Sequence, residues 1–324
     1  MFFHHWLSSS FGLVAWCFAT TSLFSAERLP AFLLHANDVV AFVGGSDVAS
    51  AQFTGHIEAL LVAKFPHTRF RNFGWEGDTV FAQPRDIGFP PLREHLRRAG
   101  VTVLFLEFGR AEALSDRETV PRFVAAYETL LNDCAKLAPR LLLVTPPPLE
   151  TGGGLLPDLS TRNASLAAHA EAIRGLARSR SLPVVDLFLE FGGASHVEPR
   201  LTDNGLQFTS RGHALIAAGF ARQLGFGDWA ARAGDPDRAG GWPEARWEKL
   251  RQIVIEKNRL WFNYWRPQNW AFLGGDRTSQ PSSRDHLDPK VRWFPAEMEQ
   301  YLPLIREKEE AMEQSAAQLR GEAR

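Results

Sequence analysis

"VVAFVGG", Val39 to Gly45, is the run whose reading decides the fold. It is apolar almost throughout, too short for a typical helix, rich in valine and closed by two glycines. That pattern reads as a strand buried on both faces. Four similar runs follow: "RFRNFG" (Arg69 to Gly74), "VTVLFLEFG" (Val101 to Gly109), "RLLLVTPPP" (Arg140 to Pro148) and "PVVDLF" (Pro183 to Phe188). Helical patterns separate them: "AQFTGHIEALLVAKF", "PPLREHLRRAG", "VPRFVAAYETLLNDCAKLA" and "LSTRNASLAAHAEAIRGLARSR". "TSRGHALIAAGFARQL" closes the series, with Thr209 or Ser210 as its N-cap. Strand and helix in strict alternation predict an α/β fold of three layers, a five-stranded parallel sheet between helices, with right-handed crossovers.

The chain has 324 residues, 45% hydrophobic and 23% charged, which is enough apolar mass for one large or two small cores. Its formal net charge of -1 supplies no basic field, so a nucleic-acid partner is not expected. The first residues differ in character. An apolar stretch from about Phe11 to Phe24 is followed by small residues and then charge, which reads as a signal peptide over residues 1–26, cleaved near Ala26. Its leading part has His4 and His5 but no Lys or Arg, so an uncleaved anchor is the alternative; Trp16 is too large to precede a lipidated Cys17. Cleavage implies a secreted or periplasmic protein with no membrane attachment. It would leave Cys134 alone, a small buried side chain with no disulfide partner. After the α/β part (35–226) comes a Gly/Asp/Pro-rich linker (227–243). The C-terminal region (244–324) is small and charged, and its helices are expected to pack on the main domain.

In parallel sheets ligands bind at the carboxyl ends of the strands. Here those ends read "GGSD", "FGWEGDT", "FGRAE" and "TPPP", with the loop "TDNGLQ" before the last helix. The order of these motifs resembles the SGNH (GDSL-type) hydrolases, serine esterases and acylhydrolases of flavodoxin-like fold. The strings "RNFGWEGDTV" (Arg71 to Val80) and "KNRLWFNYWRPQN" (Lys257 to Asn269) are similar to a secreted branch of that family found in planctomycete-like bacteria.

The resemblance implies site residues position by position. Ser46 falls at the nucleophile position, where a tight strand-to-helix turn exposes the hydroxyl and aims the backbone N–H at a developing oxyanion; a simple helix cap is the other reading. Asp47 stands where the family more often has an apolar residue. Gly77 matches the oxyanion-hole glycine, and Asp78 is expected to tie its loop together. The third motif places Asn where Ala111 stands. Its neighbours Arg110 and Glu112 read as a surface ion pair, or Arg110 as a substitute donor. The last motif, Asp-x-x-His, is occupied by Asn204 and Gln207, and an amide is far too weak a base to take a serine proton. Asp203 is one residue out of register.

Among the other imidazoles, His56, His67, His95 and His169 read as surface or half-buried, and His213 as packing. His196, in the loop before the altered motif, is the candidate surrogate base. No metal-ligand spacing stands out and no cofactor is implied. The aromatic run Trp261, Phe262, Tyr264, Trp265, Trp270 and Phe272 either anchors the C-terminal region or walls the cleft and stacks on sugar rings. Two functions stay open. One is a hydrolase of small-molecule or carbohydrate esters with impaired catalysis. The other is a non-catalytic pseudo-hydrolase that binds a carbohydrate or partner in the same cleft.

Overall fold

The computed structural model describes Met1, residues 32–115 and residues 119–322. The expected signal segment therefore lies outside the described residues. The five strands are β1 (Val39–Gly44), β2 (Arg69–Asn72), β3 (Val103–Glu107), β4 (Arg140–Thr145) and β5 (Val184–Asp186). All pair in parallel, in the order β2-β1-β3-β4-β5.

The main-domain helices are α1 (Ser46–Ala51), α2 (His56–Lys64), α3 (Leu92–Arg98), α4 (Arg110–Leu114), α5 (Val120–Ala135), α6 (Asn163–Ser179), α7 (Leu187–Glu190) and α8 (Ser210–Gln223). After them come α9 (Gly227–Ala233), α10 (Ala245–Trp265), α11 (Trp270–Leu273), α12 (Trp293–Glu299) and α13 (Tyr301–Arg320). No helix of the described residues is long and apolar enough to cross a membrane.

The layers follow from the two-residue period of a strand. Val40, Val103, Phe105, Leu142 and Val144 join one core with α2, α8 and α13. Their neighbours Val39, Ala41, Leu104, Leu106, Leu141 and Leu143 join a second core with α3, α5 and α6. Both faces are thus covered, which is why the strands read as continuous apolar runs.

Three local expectations differ from what is found. The single helix expected after β1 is two, α1 and α2, because the chain turns at Gly55 with a left-handed φ of 70°. The fifth strand stops at Asp186, whose side chain accepts a hydrogen bond from Leu189 N and starts the short α7. The linker contains α9.

The C-terminal region wraps the sheet edge. Helix α10 contributes Trp247, Leu250 and Val254 to the first core and Trp261 and Trp265 to the second. Between them it crosses β2, the edge strand, and supplies donors to its outward carbonyls. Lys257 Nζ donates to Phe70 O at 3.1 Å and Trp261 Nε1 to Asn72 O at 2.9 Å. The match is geometric: four helical residues rise about 6 Å and two strand residues about 6.6 Å. The buried Lys257 also pairs with Glu58 at 2.5 Å.

Candidate active site

Helix α1 begins directly after β1, with Gly45 as N-cap and Ser46 as the first helical residue. Ser46 is therefore not the cap. Its N–H belongs to the first turn, where no intrahelical acceptor exists. A cleft of about 620 Å³ opens above it, lined by Ser46, Asp47 and Ser50 of α1, by Glu107 and Ala111, and by Gln207.

The loop after β2 forms one wall. Asp78 is buried and receives two hydrogen bonds from Arg85, at 2.7 and 2.9 Å. Arg85 lies over the Trp75 ring at 4.1 Å, and Arg266 lies over it at 3.7 Å while bonding Glu76 at 2.6 Å. The C-terminal "WRPQN" string thus holds the "GWEGD" loop through Arg266. Gly77 has a φ of 85°, which a side chain would strain, and nothing lies within 4 Å of where its Cβ would stand.

In the loop before α8 the two amides, Asn204 and Gln207, are bonded to each other. Asn204 Oδ1 accepts from Leu206 N and Gln207 N, at 3.0 and 2.7 Å, and Asn204 Nδ2 donates to Gln207 Oε1 at 3.2 Å. Gln207 lines the cleft and, as an amide, carries no basic lone pair.

His196 does not take over. It lines a different cleft, of about 720 Å³, together with Phe191 and Trp242. Its Nδ1 faces Phe191 O at 2.7 Å and its Nε2 faces Glu150 Oε1 at 2.8 Å, so neither nitrogen is open to a serine proton. Its work is structural. Glu150 also accepts from Leu201 N at 2.8 Å, from Thr202 N at 2.9 Å and from the Thr202 hydroxyl. Burial alone would raise its carboxyl. The bonds from His196, Thr202 and the two backbone N–H groups outweigh burial and bring it to about 2, from 4.5. A depressed carboxylate adds stability that is complete above about pH 4.5 and lost as pH falls through about 2. Glu150→Gln is expected to cost on the order of 3 kcal/mol at pH 7. It should also flatten the acid limb of a urea-unfolding series; an unchanged limb would contradict the assignment.

Arg110 and Glu112 are not a surface pair. Both are buried. Glu112 accepts from Val80 N and Gly109 N, each at 2.8 Å, and ties α4 to the neighbouring loop. Arg110 instead donates to Asp47 Oδ1 at 3.0 Å and lies over Phe208 at 4.3 Å. Asp47, unusual beside the serine, is thus explained by its partner.

Of the imidazoles expected to be at the surface or half-buried, His56, His95 and His169 are buried and only His67 is exposed. His213 is buried as expected, against Phe208, but its Nε2 also lies 3.2 Å from Ser50 Oγ. Ser50 meanwhile donates to Asp47 O at 2.9 Å. Burial, then the charges of His56 and Arg110, bring His213 down to about 3, about four units below a useful base at neutral pH. Ser50 and His213 lie too far apart in sequence to be paired by spacing.

Glu107, a lone carboxylate inside an apolar strand run, also lines the cleft. Burial, then the nearby Asp47 charge, raise it to about 8, with Arg110 opposing. The aromatic run serves as an anchor. Trp261 and Trp265 pack on Phe73 at 5.4 and 5.2 Å, and Trp265 and Trp270 line a separate cavity of about 400 Å³. None of the run lines the Ser46 cleft. No cluster of three metal-ligating side chains occurs among the described residues.

Residues 25–215 match the model of the GDSL-like lipase/acylhydrolase family. The chain belongs to that family. Solved structures similar to this family member include a variant of Axe2, an acetyl-xylooligosaccharide esterase from Geobacillus stearothermophilus. It has 17% identity and a TM-score of 0.47, with 59% of this chain and 96% of that one covered. LAE5, an α/β hydrolase enzyme from the metagenome of Lake Arreo, Spain, has 17% identity and a TM-score of 0.45, with 60% and 98% covered. No curated protein matches the chain.

Proposed function

We propose that this GDSL-family protein is exported, binds an acylated carbohydrate in the Ser46 cleft, and hydrolyses it slowly or not at all. Ser46 holds the nucleophile position, and the N–H groups of Ser46 and Gly77 are the oxyanion donors. One observation carries the reading: the base position at the cleft is Gln207, hydrogen-bonded to Asn204 at 3.2 Å. Without a base the serine proton has no acceptor. Ala111 leaves out a further oxyanion donor, a loss that typically costs ~10²–10³ in rate. The apolar N-terminus supports export, and the strings around Trp75 and Lys257 support membership of the secreted branch they resemble.

The purified protein should cleave short-chain nitrophenyl esters no faster than a Ser46→Ala control, while calorimetry detects binding of an acetylated oligosaccharide. Robust turnover that depends on Ser46 would overturn the non-catalytic part, and a mature N-terminus far from Glu27 the export part.

A further inference from the structure

Arg110 is 5% exposed, and its guanidinium is fixed on two sides. Nη1 donates to Asp47, and the plane lies over Phe208. The remaining nitrogens, Nε and Nη2, are shielded from solvent and have no hydrogen-bond partner among the described residues. These two form the side-on edge of the fork, whose N–H bonds run parallel and match the two oxygens of a carboxylate. Buried donors are nearly always paired in native proteins, so an orphaned pair on one edge calls for a partner. Arg110 also lines the cleft that holds Ser46 and Gln207.

We propose that the Nε–Nη2 edge of Arg110 receives a carboxylate of the cleft's ligand, and so selects a uronate-bearing saccharide over a neutral one. The inference rests on the reading of this cleft as a carbohydrate site. The facing groups are consistent with it. Asp47 on α1 is already paired with Arg110. Glu112 on α4 is turned to backbone N–H groups. His213 on α8 is held neutral at physiological pH by burial. Glu76 and Asp78 are paired with Arg266 and Arg85. Glu107 on β3 forms no ion pair among the described residues, and burial with the Asp47 charge holds it protonated at neutral pH. A lysine would supply charge but no fork, so the edge itself can be tested.

Calorimetry on the full chain would compare an acetylated oligouronate, a neutral acetylated oligosaccharide of equal length and a sulfated one. The oligouronate is expected to bind at least ~10-fold tighter than the neutral ligand, at the strength of a charge-assisted bidentate pair. Arg110→Lys and Arg110→Gln should erase that advantage, so that each variant binds the uronate and the neutral ligand within ~3-fold of one another. Equal affinity for uronate and neutral ligands would overturn the inference, as would an advantage that survives both substitutions. Preference for the sulfated ligand would overturn the carboxylate assignment. Failure of all three to bind would instead overturn the carbohydrate reading of the cleft. Should both variants unfold, the wild-type comparison of the ligands decides alone.

Discussion

Gln207→His combined with Asn204→Asp is expected to raise Ser46-dependent ester hydrolysis by at least ~10³-fold, because loss of the base in serine hydrolases costs on the order of 10⁶. The loop is already shaped for the exchange. Asn204 Oδ1 accepts two backbone N–H groups, an arrangement a carboxylate would keep, and its side chain already reaches position 207. Only part of the full factor returns, since Ala111 still omits one oxyanion donor. Adding Ala111→Asn to the pair should give a further ~10-fold or more, whereas Ala111→Asn alone should do little, because groups that act as a unit are not additive. The measurement is nitrophenyl acetate turnover, each variant against its own Ser46→Ala counterpart. A folded double variant that stays at the Ser46→Ala background would show that the cleft no longer places a substrate on Ser46.

The second large effect is on stability. Lys257→Ala should destabilise the protein by about 3–5 kcal/mol, the usual cost of removing one member of a buried ion pair. Burial pushes the Lys257 ammonium down and the Glu58 carboxyl up, and each partner opposes the other's shift. Removing the lysine leaves Glu58 buried without its cation and the Phe70 carbonyl with Arg71 Nη1 as its remaining side-chain donor. The melting temperature should fall by roughly 10 °C. Lys257→Met with Glu58→Leu should recover more than half of the loss, since two apolar groups in contact carry no desolvation cost. A single-variant loss under about 1 kcal/mol would show that water reaches the pair.

Much of the fold was legible because buried parallel strands leave short apolar runs, whose length and flanking turn residues set them apart from helix. The four apolar runs and the mixed "RFRNFG" all became strands of one sheet, and the Gly, Pro and Thr punctuation marked their ends. The run "PVVDLF" predicts a longer strand than forms, because Asp186 starts a helical turn through a local side-chain bond that the apolar pattern hides. The motif order also pointed to the family, and residue identity alone decides whether position 207 can accept a proton.

What the sequence by itself determined is therefore the chemistry that residue types permit or forbid at given positions: a serine after β1, an alanine for an asparagine, two amides for an acid and an imidazole. Only the tertiary structure decided who meets whom. Asp47 and Arg110 are separated by 63 positions, Ser50 and His213 by 163 and Trp261 and Asn72 by 189, yet each pair is in contact. His196 lies near the altered motif in sequence, but its ring is held by Glu150 and Phe191 in another cleft. The physical reason is that spacing along a chain sets which residues share a face, whereas burial, charge pairing and the closing of a cleft arise between faces brought together only by packing.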